Sequence, residues 1–74
     1  MRLSQAPAGR SLVVVRVDGD DPLARRLYSL GFQPGTAVDR LHRAPFGGAA
    51  AYRVLGHRVA LRDDEANRVV VGDA

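Results

Sequence analysis

A small, mainly β barrel of about five strands with one short helix is the fold this chain predicts, and three observations predict it. Five β-favouring runs recur at intervals of about ten residues, the spacing of short strands joined by tight links. Clusters of Gly, Pro and Asp separate those runs and mark turns. Helical periodicity is confined to Leu23 to Leu30, between the first and second runs. At 74 residues the chain reads as a single domain over 1–74, of a size at which folding buries about 60% of the surface the open chain exposes.

The first strand is Arg10 to Val17, RSLVVVRV, in which Leu12, Val14 and Arg16 alternate with Val13, Val15 and Val17. Asp18 to Pro22 is a turn that also starts the helix. Asp21 caps it, Pro22 fits its first position, and Asp18, Asp20 and Asp21 face the positive end of its dipole. Leu23, Leu27 and Leu30 share one face of Leu23 to Leu30, with Arg25, Arg26 and Ser29 on the wet side. Gly31 stands where a left-handed cap is expected, and Phe32 folds back on the last turn as an apolar clasp. Gln33 to Gly35 supplies a Pro-Gly turn of type II character.

Thr36 to Arg43 is the second strand, and Ala44 to Ala49 a loop marked by Pro45, Gly47 and Gly48. Ala50 to Gly56 is the third strand, with Tyr52 and Val54 on one face. Gly56 and His57 turn it into the fourth, Arg58 to Arg62, where Val59 and Leu61 face inward. Asp63 caps a single helical or 3₁₀ turn, Asp63 to Ala66, and Asn67 to Val71 closes as the fifth strand. Side chains fill the interior of so narrow a barrel, so function belongs to its loops and outer wall.

Composition excludes several classes. With no cysteine there is neither a disulfide framework nor a thiolate metal site. No apolar run approaches the roughly 20 residues needed to cross a bilayer, and Met1 to Arg10 lacks the apolar centre of a signal peptide. A soluble, cytoplasmic protein is the expectation. All 11 basic residues are Arg, which reads as compositional bias and carries no functional weight.

The run RRLYSLGFQPGTAV, followed by RAPFGGAAAYRVLGHRVALRDDEANRVVV, resembles the FeoA family, the small cytosolic proteins of bacterial ferrous-iron uptake. The helix ending in Leu-Gly-Phe with Pro-Gly after it, the Ala-Pro-Phe-Gly loop, the Gly-His-Arg-Val-Ala-Leu-Arg segment and the acidic turn lie in that family's order, from Leu3 to Val71. The resemblance implies an SH3-like β-barrel and an accessory role to FeoB, the membrane Fe(II) transporter with a cytosolic G-protein domain. The implied fold is also similar to the C-terminal domain of metal-dependent repressors. The chain carries no DNA-binding domain, so a free-standing accessory is the expectation.

No enzyme activity is assigned. Ser4, Ser11, Ser29, Thr36, Tyr28 and Tyr52 lie in no activating motif, and APFGG lacks the Lys-Ser/Thr ending of a phosphate loop. His42, His57, Asp63, Asp64 and Glu65 are the plausible metal ligands, but no pair has the spacing of a recognised site, so no metal or cofactor is assigned. A metal-sensing domain stays as one alternative. Nucleic acid is another: net charge is +3, and Arg40, Arg43, Arg53 and Arg58 form a basic strip across adjacent strands. Clustered acids and the lack of a run of stacking aromatics stand against it, and no nucleic-acid partner is expected.

Protein binding is the preferred reading, with a FeoB-type transporter as the partner the resemblance implies. Pro45 and Phe46 sit beside Gly47 in a loop where a phenyl ring is hard to bury, which makes Phe46 a candidate anchor. Its plainer reading is a lid over one end of the core. Arg25 and Arg26, on the wet face of the helix, complete the candidate set of Arg25, Arg26, Pro45, Phe46 and Gly47.

Overall fold

A computed structural model describes residues 1–43 and 47–74, with Arg43 described in its backbone alone. Five antiparallel strands form one sheet: β1 (Ser11–Val17), β2 (Ala37–Arg43), β3 (Ala49–Val54), β4 (His57–Arg62) and β5 (Val69–Asp73). Their order across it is β4-β3-β2-β1-β5. Helix α1 (Pro22–Leu30) joins β1 to β2, and the single turn α2 (Asp63–Ala66) joins β4 to β5. The mainly β architecture and the position of the helix are as the residue pattern predicts.

Local chemistry explains both ends of α1. The Asp21 side chain accepts the Ala24 N–H at 3.4 Å, and Pro22 occupies the first helical position. At the far end Gly31 has φ 114°, left-handed as the cap requires. The Phe32 N–H donates to the Leu27 carbonyl and the Gly31 N–H to that of Tyr28, both at 3.0 Å. These two bonds make a Schellman ending, and Phe32 is wholly buried beneath it. The Pro-Gly turn follows: Thr36 N–H donates to the Gln33 carbonyl at 3.0 Å, and Gly35 takes φ 88°.

Inward side chains from every strand meet in one core, with Leu12, Val14, Val38, Tyr52, Val54, Leu61, Val69 and Val71 almost fully buried around Leu27 and Phe32. Burying a Phe or Leu contributes on the order of 2 kcal/mol, so these side chains dominate the cohesion of a domain this small. Strict alternation along β1 would place Arg16 in that core, and the structure corrects this. The register against β5 shifts between Val14 and Arg16, leaving Val15 as an extra residue. The bulge changes the side each later residue faces, so Val17 is buried while Val15 and Arg16 are exposed.

Two further expectations are corrected, and the segment before β1 adds an element. The hairpin turn between β3 and β4 is Leu55-Gly56, with φ 50° and 78°, and His57 already belongs to β4. The cap of α2 is Arg62, whose N–H donates to Glu65 Oε1 at 2.9 Å, and Asp63 is the first helical residue. The segment before β1 is structured: Leu3–Gln5 forms a 3₁₀ turn that buries Leu3 and Ala6. Arg2 pairs with Val70, and the Val71 N–H donates to the Met1 carbonyl at 2.8 Å, covering the outer edge of β5.

Candidate docking surface

Helix α1 presents Arg25 and Arg26 to solvent because Ala24 and Leu27, on the opposite face, pack into the core. The two arginines differ in their surroundings. Arg26 Nη2 lies 3.2 Å from Glu65 Oε2, while no ion pair among the described residues engages Arg25. Gly47 is exposed with φ 72° beside Gly48 at 71°, and the Gly48 carbonyl accepts the Asp63 N–H at 2.9 Å. Pro45 and Phe46 lie outside the described residues. The base of the predicted loop is therefore tied to α2, and so is the wet face of α1.

Between these ties an open surface pocket of about 530 Å³ is lined by Arg26, Ala49, Ala60, Leu61, Arg62 and Glu65. Sequence reasoning missed Ala60 and Arg62 as surface elements and weighed Glu65 only as a plausible metal ligand, with no metal site assigned. The available signal was Glu65 standing three residues after Arg62, the spacing of a side chain that reaches back to a helix N-terminus. The pocket is open and carries two arginines and one carboxylate, and with Arg26 already paired to Glu65 it is Arg62 that is left to meet an incoming carboxylate.

Arg40 departs from the predicted basic strip. It is 7% exposed, and its Nη1 donates to the Ala6 carbonyl and, at 3.5 Å, to that of Ser4. Alternation with the buried Val38 turns Arg40 to the inner side of β2, opposite Tyr52 and beneath the 3₁₀ turn, and the second register shift of the sheet follows it, between Arg40 and His42. The Arg43 side chain lies outside the described atoms. Arg53 and Arg58 remain, exposed and directly opposite each other on β3 and β4.

The other candidate groups are scattered. His42 stands opposite Ala51 and His57 opposite Val54, with β3 between them, while Asp63, Asp64 and Glu65 lie past the far end of β4. Among the described residues no three of His, Asp and Glu converge on a point. Ser11 Oγ donates to Asp39 at 2.7 Å, but the pair is exposed and no histidine adjoins it, so the hydroxyl has no base to take its proton. Among the described residues no helix is long and apolar enough to cross a membrane.

Comparison with known proteins agrees with this architecture. The FeoA domain family matches residues 1–72. The chain is 32% identical over 71 residues to the Fe(2+) transport protein A/Fe(2+) transporter FeoB fusion protein of Porphyromonas gingivalis, a match covering 96% of this chain and 8% of that protein. Its structure superposes with a TM-score of 0.86 on FeoA of Stenotrophomonas maltophilia complexed with zinc, described as a unique procaryotic SH3 domain protein. Identity there is 41%, over 97% of this chain and 89% of the other. A manganese-dependent transcriptional repressor superposes with a TM-score of 0.87 at 23% identity, over all of this chain and 41% of the repressor, a likeness of fold alone. With a family match over nearly its whole length and an SH3-like barrel to go with it, the chain belongs to the FeoA family.

Proposed function

We propose that this protein is a non-enzymatic accessory of ferrous-iron transport, acting in the cytoplasm, that docks on the cytosolic G-protein domain or the membrane part of a FeoB-type transporter and modulates it. The carrying observation is the relative in which the FeoA and FeoB parts share one polypeptide. Tethering two modules raises their effective concentration to about the millimolar range.

The surface that fits this role combines the loop around Pro45, Phe46 and Gly47 with Arg25 and Arg26 of α1. Support for treating them as one area comes from α2, which bonds to Gly48 on one side and to Arg26 on the other. Aromatic and arginine side chains are the residue types enriched in interface hot spots.

Co-purification from host membranes tests the reading. The transporter should accompany the tagged wild-type chain, and Phe46→Ala should weaken that association at least about tenfold, as loss of a hot-spot side chain does. Recovery of the chain without any transporter overturns the docking reading. Equal recovery with Phe46→Ala rejects that anchor and leaves Arg25 and Arg26 as the contact to vary next.

A further inference from the structure

The two outer edges of the sheet are treated differently. Met1 and Arg2 cover β5, whereas among the described residues no strand pairs with the outer side of β4. Val54 and His57 close a two-residue turn and so exchange both ladder bonds. Antiparallel alternation then turns the N–H and C=O groups of Arg58, Ala60 and Arg62 away from β3, toward the open edge. The Arg62 N–H is indeed taken by the Glu65 side chain at 2.9 Å, which leaves the backbone groups of Arg58 and Ala60 facing outward. An unpaired row of this kind is a template for another strand.

Charge along the edge selects what that strand carries. Ser11, Asp39, Arg53 and Arg58 stand opposite one another in turn across β1, β2, β3 and β4. Asp39 lies beside Arg53, but Arg58 ends the row against a like charge, a cross-strand pairing that destabilises. Arg62, four residues along on the same side of β4, is also exposed and without an ion pair among the described residues. A second copy pairing antiparallel about Ala60 would set Arg58 against Arg62, adding like-charge contacts at each end. A strand with carboxylates at those two positions would relieve the Arg53–Arg58 clash and neutralise Arg62.

We propose that the free edge of β4 accepts an extended acidic segment of a partner protein as a sixth strand, its backbone bonding to Arg58 and Ala60 and its carboxylates meeting Arg58 and Arg62. The pocket beside Ala60, Leu61 and Arg62 gives room for one of those carboxylates to approach Arg62. Partner selection then works by charge on a sequence-tolerant main-chain ladder.

The test is amide-resolved NMR and hydrogen exchange on the intact chain at low salt, with the blocked synthetic peptide (Glu-Val)4 as probe and (Lys-Val)4 as control. At about ten times its Kd the acidic peptide should slow exchange of the Arg58 and Ala60 amides roughly tenfold, and (Lys-Val)4 should not. Ala60→Pro removes the outward N–H and leaves the bonds to β3 in place, so it should fold and lose the response. Should that variant fail to fold, Arg58→Glu with Arg62→Glu serves instead and should reverse the preference toward (Lys-Val)4. The proposal is overturned if (Glu-Val)4 leaves these amides unprotected, if both peptides act alike, or if Ala60→Pro responds as the wild type does. It is equally overturned if the same amides are protected by self-association, or by a single-stranded oligonucleotide and not by the peptide.

Discussion

Arg26 Nη2 and Glu65 Oε2 stand 3.2 Å apart, and this contact joins the wet face of α1 to the single turn α2. The other oxygen of the same carboxylate takes the Arg62 N–H at 2.9 Å. One partly buried side chain thus positions an arginine on the candidate docking surface and closes the N-terminus of α2. It also stands at the rim of the pocket that runs beside β4.

Glu65→Ala should therefore lower stability modestly and loosen a specific place. An exposed ion pair contributes about 0.3–1 kcal/mol and a helix-start hydrogen bond about 1 kcal/mol, so a loss of roughly 1–2 kcal/mol is expected. Urea unfolding should show a lower midpoint at unchanged slope. Exchange at the Arg62 amide should rise well above the change at core amides such as Val71. A uniform change across the chain would mean that Glu65 does not hold this site.

Gly31 and Leu55 make a second coupled pair. A Cβ at Gly31 would lie 2.6 Å from Leu55 Cδ1 and 3.3 Å from Val54 Cγ2, at φ 114°, so Gly31→Ala is strained both by backbone and by contact. A loss of about 2 kcal/mol or more is expected in thermal or urea unfolding. Leu55 is itself an unusual occupant, 69% exposed with φ 50° in a two-residue hairpin turn that favours Asn or Gly. Leu55→Asn should stabilise by about 0.5–1 kcal/mol and recover part of the Gly31→Ala loss in the double variant. Strict additivity of the two substitutions would show that the side chains do not meet.

What the sequence made legible was chemistry settled between near neighbours. Asp21, Pro22, Gly31, Phe32 and the Pro34-Gly35 turn each do in the structure what their residue types specify, since a cap or turn is decided within a few positions. The bulge at Val15 was not legible, because it depends on which residue of a distant strand lies opposite, and although alternation with Val38 turns Arg40 inward, the Ser4 and Ala6 carbonyls that receive its guanidinium come from a distant segment. The 3₁₀ turn of Leu3–Gln5 has weak local signals and owes its place to Arg40 and β5. At the candidate site the exposure of Arg25 and Arg26 followed from helical periodicity. The Glu65 partner and the open β4 edge emerged from tertiary packing alone.

Arg40 tests how that N-terminal turn is held. Its guanidinium bonds to the carbonyls of Ala6 and Ser4, and its own carbonyl accepts the Gly9 N–H at 3.0 Å. Arg40→Ala removes the donors and leaves a void, an expected cost of about 2–4 kcal/mol. Arg40→Met keeps the bulk and also removes a buried charge, so its global cost should be under about 1 kcal/mol. Both variants should free the first residues, read as faster exchange of the Val71 amide that now donates to Met1. If Arg40→Met leaves that amide fully protected, the turn is held by Leu3 and Ala6 packing instead.

Acid sensitivity should trace to the two carboxylates that join distant segments around the start of α1. Hydrogen bonds from Arg2 and then Arg16 hold Asp18 below the ordinary carboxylate range, and a hydrogen bond from Arg68 does the same for Asp21. Unfolding restores their ordinary proton affinity, so near and below about pH 4 the unfolded chain binds more protons than the folded one. Stability from these pairs is therefore complete above that range and is lost as pH falls through the lowered folded values. Thermal midpoints should be flat from neutral pH down to about pH 5 and then decline. Asp18→Asn and Asp21→Asn should each start from a lower midpoint at neutral pH and show a shallower decline, and added salt should shrink the difference because the pairs are solvent-exposed. A decline of unchanged steepness in the double variant would assign the acid response to other carboxylates.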